Sequence, residues 1–426
     1  METYALTNCI VLDGTETMQS RKGLAILVKE GRIQGIVPQT AIPKGYALRD
    51  LDGQYVLPGL INLHVHLAGS GKPKKKQSDP VKAVKLVTAN SLTRKVGKAM
   101  VAGFAREQLL SGVTTIRTVG GILDFDAQLR DEINAGRKVG PRILAGNMAI
   151  SVPGGHMAGS LAYTVTTPAE AQACVDKIAA TKPDLIKLMV TGGVLDAVKK
   201  GEPGVLKMDP AMIRAACDKA HQLGLQVAAH VESPQGVRAA LENGVDTIEH
   251  GAMPDAETID LFKKTGASLV TTISPTVSFA LFDQSVSHAT DLQKYNGKIV
   301  MDGIVGCAKA CLAAGIPVGV GTDTACPYVT QYDTWRELGY LHRFCGVSNT
   351  QALYMATLGN ARIAGIENET GSIEAGKSAD LLVCRDNPLN NLAALRQLSQ
   401  IIFRGKRYTP KVSPIPQVEQ ELDNYL

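Results

Sequence analysis

Five short apolar runs in this chain of 426 residues carry, at or near their ends, side chains that bind cations or move protons. They are His64 and His66 in LINLHVHL, Lys187 in LIKLMV, His230 in AAHV, His250 in TIEHG and Asp323 in GVGTDT. In His64-Val65-His66 the two-residue period of a strand sends both imidazoles to one side, where they can clamp a metal ion. Alone, such a pair is more often hydrogen-bonded core; joined by two further strand-end histidines and an aspartate, it reads as a ligand set. Lys187 sits among apolar neighbours that disfavour the ammonium form and lower its pKa. A neutral amine reacts with carbon dioxide to give a carbamate, whose two oxygens can bridge a pair of cations. The competing reading is a lysine that snorkels or pairs with a carboxylate. His230 and His250 suit a second cation, and Asp323 can bind the first and accept a proton from its water.

Residues so far apart in sequence meet if their runs are parallel strands of one closed barrel, whose active site is assembled at the strands' C-terminal ends. Eight apolar runs alternate with helix-like stretches: 61–67, 113–119, 142–150, 185–191, 225–231, 246–250, 268–274 and 316–323. That alternation is the pattern of a parallel sheet with crossover helices. Gly224, Gly244 and Gly315 precede three of the runs and suit the residue that closes a helix. Short strands with Gly-marked turns occupy both ends, as in GLAILVKEGRIQGIVP and IIFRGKRY. The fold class expected is α/β: a (β/α)8 TIM barrel over residues 60–367, with a small β-sandwich built from 1–59 and 368–426.

Composition narrows the function classes. No apolar run reaches the roughly 18 residues a membrane span needs, and the opening METYALTNCIVLDG lacks the basic and apolar regions of a secretory signal. The eight cysteines are scattered, with Cys307 and Cys311 the one close pair, and read as reduced thiols in a reducing compartment. A cytoplasmic enzyme is expected. The net charge of +5 is mild and aromatics make up 4%, which argues against nucleic acid as a partner. Lys72, Lys74, Lys75 and Lys76 read as a solvated loop after the first barrel strand. A small-molecule substrate remains.

The motifs LPGLINLHVHL, LIKLMVTGG, AAHVESPQGVRAALENGVDTIEHG, GVGTD and ATLGNARIAGIENETGSIEAGKSADLLV resemble those of the amidohydrolase superfamily. Within it they are similar to the branch related to imidazolonepropionase, which contains dipeptidases that cleave Xaa-Pro or Xaa-Arg/Lys bonds. The resemblance implies a metal-dependent hydrolase of amide bonds, and a homo-oligomer. His64, His66 and Asp323 would hold a buried ion, a carboxylated Lys187 would bridge to an exposed one, and His230 and His250 would complete the latter. Two divalent ions are expected, zinc first, although such donors also accept manganese, iron or cobalt. Between them a bridging water would fall from a pKa of about 15.7 towards 7, with Asp323 as general base and later proton donor.

The resemblance also implies a substrate contact at His156, in the Gly-rich loop after the third strand; ordering that loop is the alternative. One position departs from the pattern. Xaa-Pro-cleaving relatives commonly carry a tyrosine two residues after the fifth-strand histidine, where this chain has Glu232. A carboxylate there would repel a substrate carboxylate but hold a cationic group. Tyr328 and Trp335 read equally as pocket mouth or as packing. A single-metal deaminase or cyclic-amide hydrolase is the nearest rival, but it usually carries a glutamate where this chain has Ser233 and has no use for a carboxylated lysine. A non-catalytic scaffold normally loses ligands, and all six are present.

Overall fold

A computed structural model describes residues 2–73 and 79–426. Lys74, Lys75 and Lys76 lie outside the described residues, and Lys72 is exposed. The chain divides into two compact units, one of Met1–Asn62, Arg106–Thr115 and Tyr332–Ser413, the other of Leu63–Ala105, Ile116–Gln331 and Pro414–Leu426.

In the first unit both ends of the chain enter one eight-stranded mixed sheet. Thr3–Val11 pairs antiparallel with Arg21–Lys29 and parallel with Tyr55–Pro58, which pairs antiparallel with Leu381–Cys384. Alternate residues such as Tyr4 and Leu6, Ile26 and Val28, and Leu381 and Val383 build its core, as the two-residue period of a strand requires. The tight turn after Arg21–Lys29 places Glu30 at φ 53° and Gly31 at φ 81°, the doubly left-handed backbone that matches the twist of a hairpin.

Eight parallel strands form the barrel: Leu60–Val65, Val113–Thr118, Arg142–Ala145, Leu185–Met189, Gln226–Val231, Thr247–His250, Ser268–Thr271 and Val318–Val320. The first three make one sheet and the last five belong to another. Backbone bonds from Asp184 to Ala145 and from Thr322 and Asp323 to His64 join the two into a ring. The strands are buried along nearly their whole length, because crossover helices cover the outer face of a parallel sheet. The run 142–150 proves to be two strands, Arg142–Ala145 and Ala149–Ser151, parted where Asn147 takes φ 54°. Helices start where side chains satisfy free backbone N–H groups: Thr167, Asp209, Ser233, Asp255 and Thr290 each accept from the first turn. No described helix is long and apolar enough to cross a membrane.

Candidate metal centre

Each strand-end histidine has a polar partner on one of its ring nitrogens. His64 Nδ1 donates to Glu249 Oε2 at 2.7 Å, and His66 Nδ1 donates to the Gly120 carbonyl at 2.8 Å. His230 Nε2 donates to the Gly192 carbonyl at 3.2 Å, and Thr272 Oγ1 lies 2.6 Å from His250 Nδ1. Carbonyl and carboxylate oxygens only accept, so the first three bonds place a proton on Nδ1 of His64 and His66 and on Nε2 of His230, whereas the Thr272 hydroxyl can donate to His250 or accept from it. In the neutral rings the lone pair then falls on Nε2 of His64 and His66 and on Nδ1 of His230. Partners of this kind hold metal-binding imidazoles in place.

Asp323 Oδ1 meets His66 Nε2 at 3.1 Å and His64 Nε2 at 3.4 Å. Its backbone is left-handed, φ 56°, as is that of His250, φ 69°. Non-glycine residues take this conformation at a cost and concentrate at ligand clamps. At His250 it also breaks the strand alternation, which accounts for Glu249 and His250, adjacent in sequence, both reaching the centre. Gly321 lets the eighth strand approach the first: a Cβ there would lie 2.4 Å from His64 Cβ.

Lys187 interacts electrostatically with Glu249, Asp323, His230 and His250. Its Nζ is buried and has no hydrogen-bond partner, an uncommon state for a polar atom in a folded interior. Burial pushes its ammonium down from 10.5 to about 8, with the Glu249 carboxylate opposing and the Arg117 guanidinium reinforcing the fall. Burial also drives His230 and His250 well below their ordinary value, helped by the neighbouring His156 and His64 imidazoles respectively. Both rings are therefore neutral, as ligands must be. Burial works against the Asp323 carboxylate, yet His64 and His66 outweigh it and hold the group well below the usual range.

Two sets of donors, His64 with His250 and Asp323, and His230 with Glu232 and His250, each gather ligand atoms within 4.8 Å of one another. Imidazole and carboxylate together suit borderline divalent cations. The donor sets and the unpartnered Lys187 amine thus fit a metal centre.

Around this core the structure adds residues that the sequence alone did not single out. Glu249 and Arg117 lie buried behind the histidines, with Arg117 Nη2 donating to Glu249 Oε1 at 2.6 Å and Nε to the Leu63 carbonyl at 2.7 Å. A charged residue inside a barrel strand, as in VTTIRT and TIEH, is the signal that could have found them. Asp196, in the loop after the fourth strand, accepts from His156 Nδ1 at 2.5 Å and from the Gly193 amide at 3.0 Å. The His156 ring stacks on His230, centroids 4.1 Å apart and 7° from parallel. Glu232 Oε2 accepts from the Val194 amide at 3.1 Å; burial and the facing Asp323 and Asp196 carboxylates push its own pKa up to about 8. Ser233, one residue on, caps the helix Pro234–Glu242.

Tyr328 is 2% exposed; its hydroxyl donates to the Val286 carbonyl at 3.0 Å and its ring meets Phe282 edge-on. Trp335 is buried in the first unit, where the Arg336 guanidinium lies over its ring. His221 and His342 bond to Asp246 and to the Val347 carbonyl, outside the cluster.

Known proteins share this architecture. The family profile described as amidohydrolase family matches residues 55–408, and one described as NagA composite domain matches residues 3–56. The solved structure of a candidate prolidase from Bifidobacterium longum is 38% identical, with TM-score 0.88 over 99% of this chain and 98% of that one. A solved Xaa-Pro dipeptidase with methionine bound in its active site is 27% identical, with TM-score 0.84 over 96% of this chain and all of that one. Imidazolonepropionase of Deinococcus radiodurans is 25% identical over 386 residues, 84% of each chain.

Proposed function

Because the chain belongs to the amidohydrolase family, and so to the hydrolases of C–N bonds, we propose that it cleaves the amide bond of a dipeptide or an N-acyl amino acid at a centre of two divalent ions. The observation that carries the reading is the Lys187 amine, buried without a hydrogen-bond partner and interacting electrostatically with Asp323, His230 and His250, members of two sets of metal-type donors. Its amine, depressed to about 8, is partly neutral at physiological pH and adds to carbon dioxide: an N–C bond forms, a proton leaves, and a carbamate results.

His64, His66 and Asp323 would hold the inner ion, the Lys187 carbamate would bridge, and His230 and His250 would hold the outer one. Bound divalent ions, zinc first among them, supply Lewis acidity and a water acidic enough to lose its proton near neutral pH. The protein's own work is to place charge and move the proton. Asp323, ionised and lodged between two imidazoles, accepts the proton of the attacking water and returns it to the departing nitrogen. His156, locked to Asp196 and stacked on His230, stands where it can contact the substrate's acyl or carboxylate end. Glu232 adds a carboxylate to the same side of the site.

The reading carries with it a cytoplasmic, homo-oligomeric enzyme. A panel of dipeptides and N-acyl amino acids, assayed with zinc-loaded and chelated protein, tests the central claim. Amine release that disappears on chelation is expected. Release of ammonia from a cyclic or amino-substituted substrate instead, with one ion per chain and Lys187 unmodified by mass spectrometry, would replace the reading by a single-metal deaminase.

A further inference from the structure

We propose that Glu232 is itself a ligand of the outer ion, beside His230, His250 and the Lys187 carbamate. The inference rests on the two-ion reading above and deepens it, since that reading leaves Glu232 without a metal role.

Three features of the chain carry it. The first is placement: a Glu232 carboxylate oxygen and the ring nitrogens of His230 and His250 all lie within 4.8 Å of one another. Donors around one tetrahedral ion, each at about 2.1 Å, lie roughly 3.4 Å apart, so a spacing of at most 4.8 Å needs only a small closing movement to share a cation. The second is fixation. The Glu232 amide donates to Thr191 Oγ1 at 3.0 Å, and its Oε2 accepts from the Val194 amide at 3.1 Å. Gly204 packs so tightly against it that a Cβ there would lie 2.3 Å from the Glu232 carbonyl oxygen and 2.9 Å from its Cβ. The backbone and Cβ of Glu232 are thus fixed and its carboxylate is anchored by one amide, which positions it before an ion arrives. The third is remaining capacity. One amide hydrogen bond leaves most of the lone pairs of a carboxylate free.

A cationic group of the substrate is the competing partner for this carboxylate. Between Glu232 and the two imidazoles it would compete with an ion bound to His230 and His250 for the same space. With Glu232 the outer position has the same kinds of donor as the inner one, two imidazoles, one carboxylate and the shared carbamate, and suits the same borderline divalent ions.

Metal content and spectroscopy of the full-length protein test this apart from turnover. Wild-type protein, Glu232→Gln and Glu232→Ala are loaded with cobalt(II) and titrated against a chelator, and bound metal is counted. Expected are two ions per wild-type chain, and in both variants an outer ion released at a chelator concentration at least about tenfold lower, the least that loss of even a supporting contact costs. The visible cobalt spectrum should change with it, while the inner ion and the circular dichroism of the metal-free variants stay as in wild type. Two ions held with wild-type affinity and an unchanged spectrum in Glu232→Gln would overturn the proposal, and a raised KM confined to positively charged substrates would then assign Glu232 to the substrate. A wild-type chain that takes one ion at saturation would overturn the two-ion reading and this inference together; the wild-type count separates the two failures.

Discussion

Glu249 Oε2 accepts the Nδ1 proton of His64 at 2.7 Å with both side chains buried, while its other oxygen takes a bond from Arg117. Burial alone would raise this carboxyl, but Arg117, the His64 bond and Lys187 outweigh it and keep it ionised. Glu249→Gln should lower metal affinity by about 10- to 100-fold, as loss of an imidazole's outer partner does. It should also cost about 3–5 kcal/mol of stability, because Arg117 is left as a buried unpaired charge. Chelator competition and denaturant unfolding measure the two effects; wild-type metal affinity in the variant would remove Glu249 from the centre's support.

Asp323→Asn keeps the shape of the side chain and removes its ability to take a proton. Turnover should fall by about 10²- to 10⁴-fold, the usual contribution of a positioned base, with circular dichroism unchanged. Full activity in this variant would end the assignment of the base.

The metal-free protein should show Lys187 in its response to pH. The folded-state value of about 8 lies below the ordinary 10.5, so between these values the unfolded chain binds the extra proton and stability rises with pH. Below about 8 both states carry the proton and the effect is flat. The stability difference between Lys187→Met and wild type should therefore shift in favour of wild type as the pH climbs from 8 to 10. A difference independent of pH over that range would show that the amine keeps its ordinary proton affinity when buried.

Gly321→Ala inserts a methyl group 2.4 Å from His64 Cβ and 3.0 Å from its backbone nitrogen. Neither neighbour is the tip of a flexible chain, so the first and eighth strands must part. The expected cost is about 1–3 kcal/mol, with weaker metal binding through His64, read by thermal unfolding with and without zinc. An unaltered melting curve in both conditions would contradict the tight approach.

Much of this was legible in the sequence for a definite reason. Barrel strands buried on both faces read as apolar runs, and His64, His66, Lys187, His230 and His250 stand out in such runs because titratable groups are scarce there. Asp323 follows its strand, Val318–Val320, by three residues and is betrayed by the nearby Gly319 and Gly321. Glu249 is harder to read, since strict alternation would point it and His250 to opposite faces; the left-handed backbone at His250 is a tertiary outcome. Asp196 meets His156 across 40 positions of chain, through two loops whose paths no local pattern encodes. The break at Asn147 escapes periodicity because RILAGNMAI is apolar on both sides of the turn.

The pairing of Tyr55–Pro58 with Leu381–Cys384 sets an order of events during synthesis. The early strand leaves the ribosome more than three hundred residues before its neighbour exists. At about 5–20 residues per second, the opening segment waits many seconds with one edge bare and open to mispairing. A release factor acting too soon, or a nonsense codon late in the message, would therefore harm the part of the protein made first.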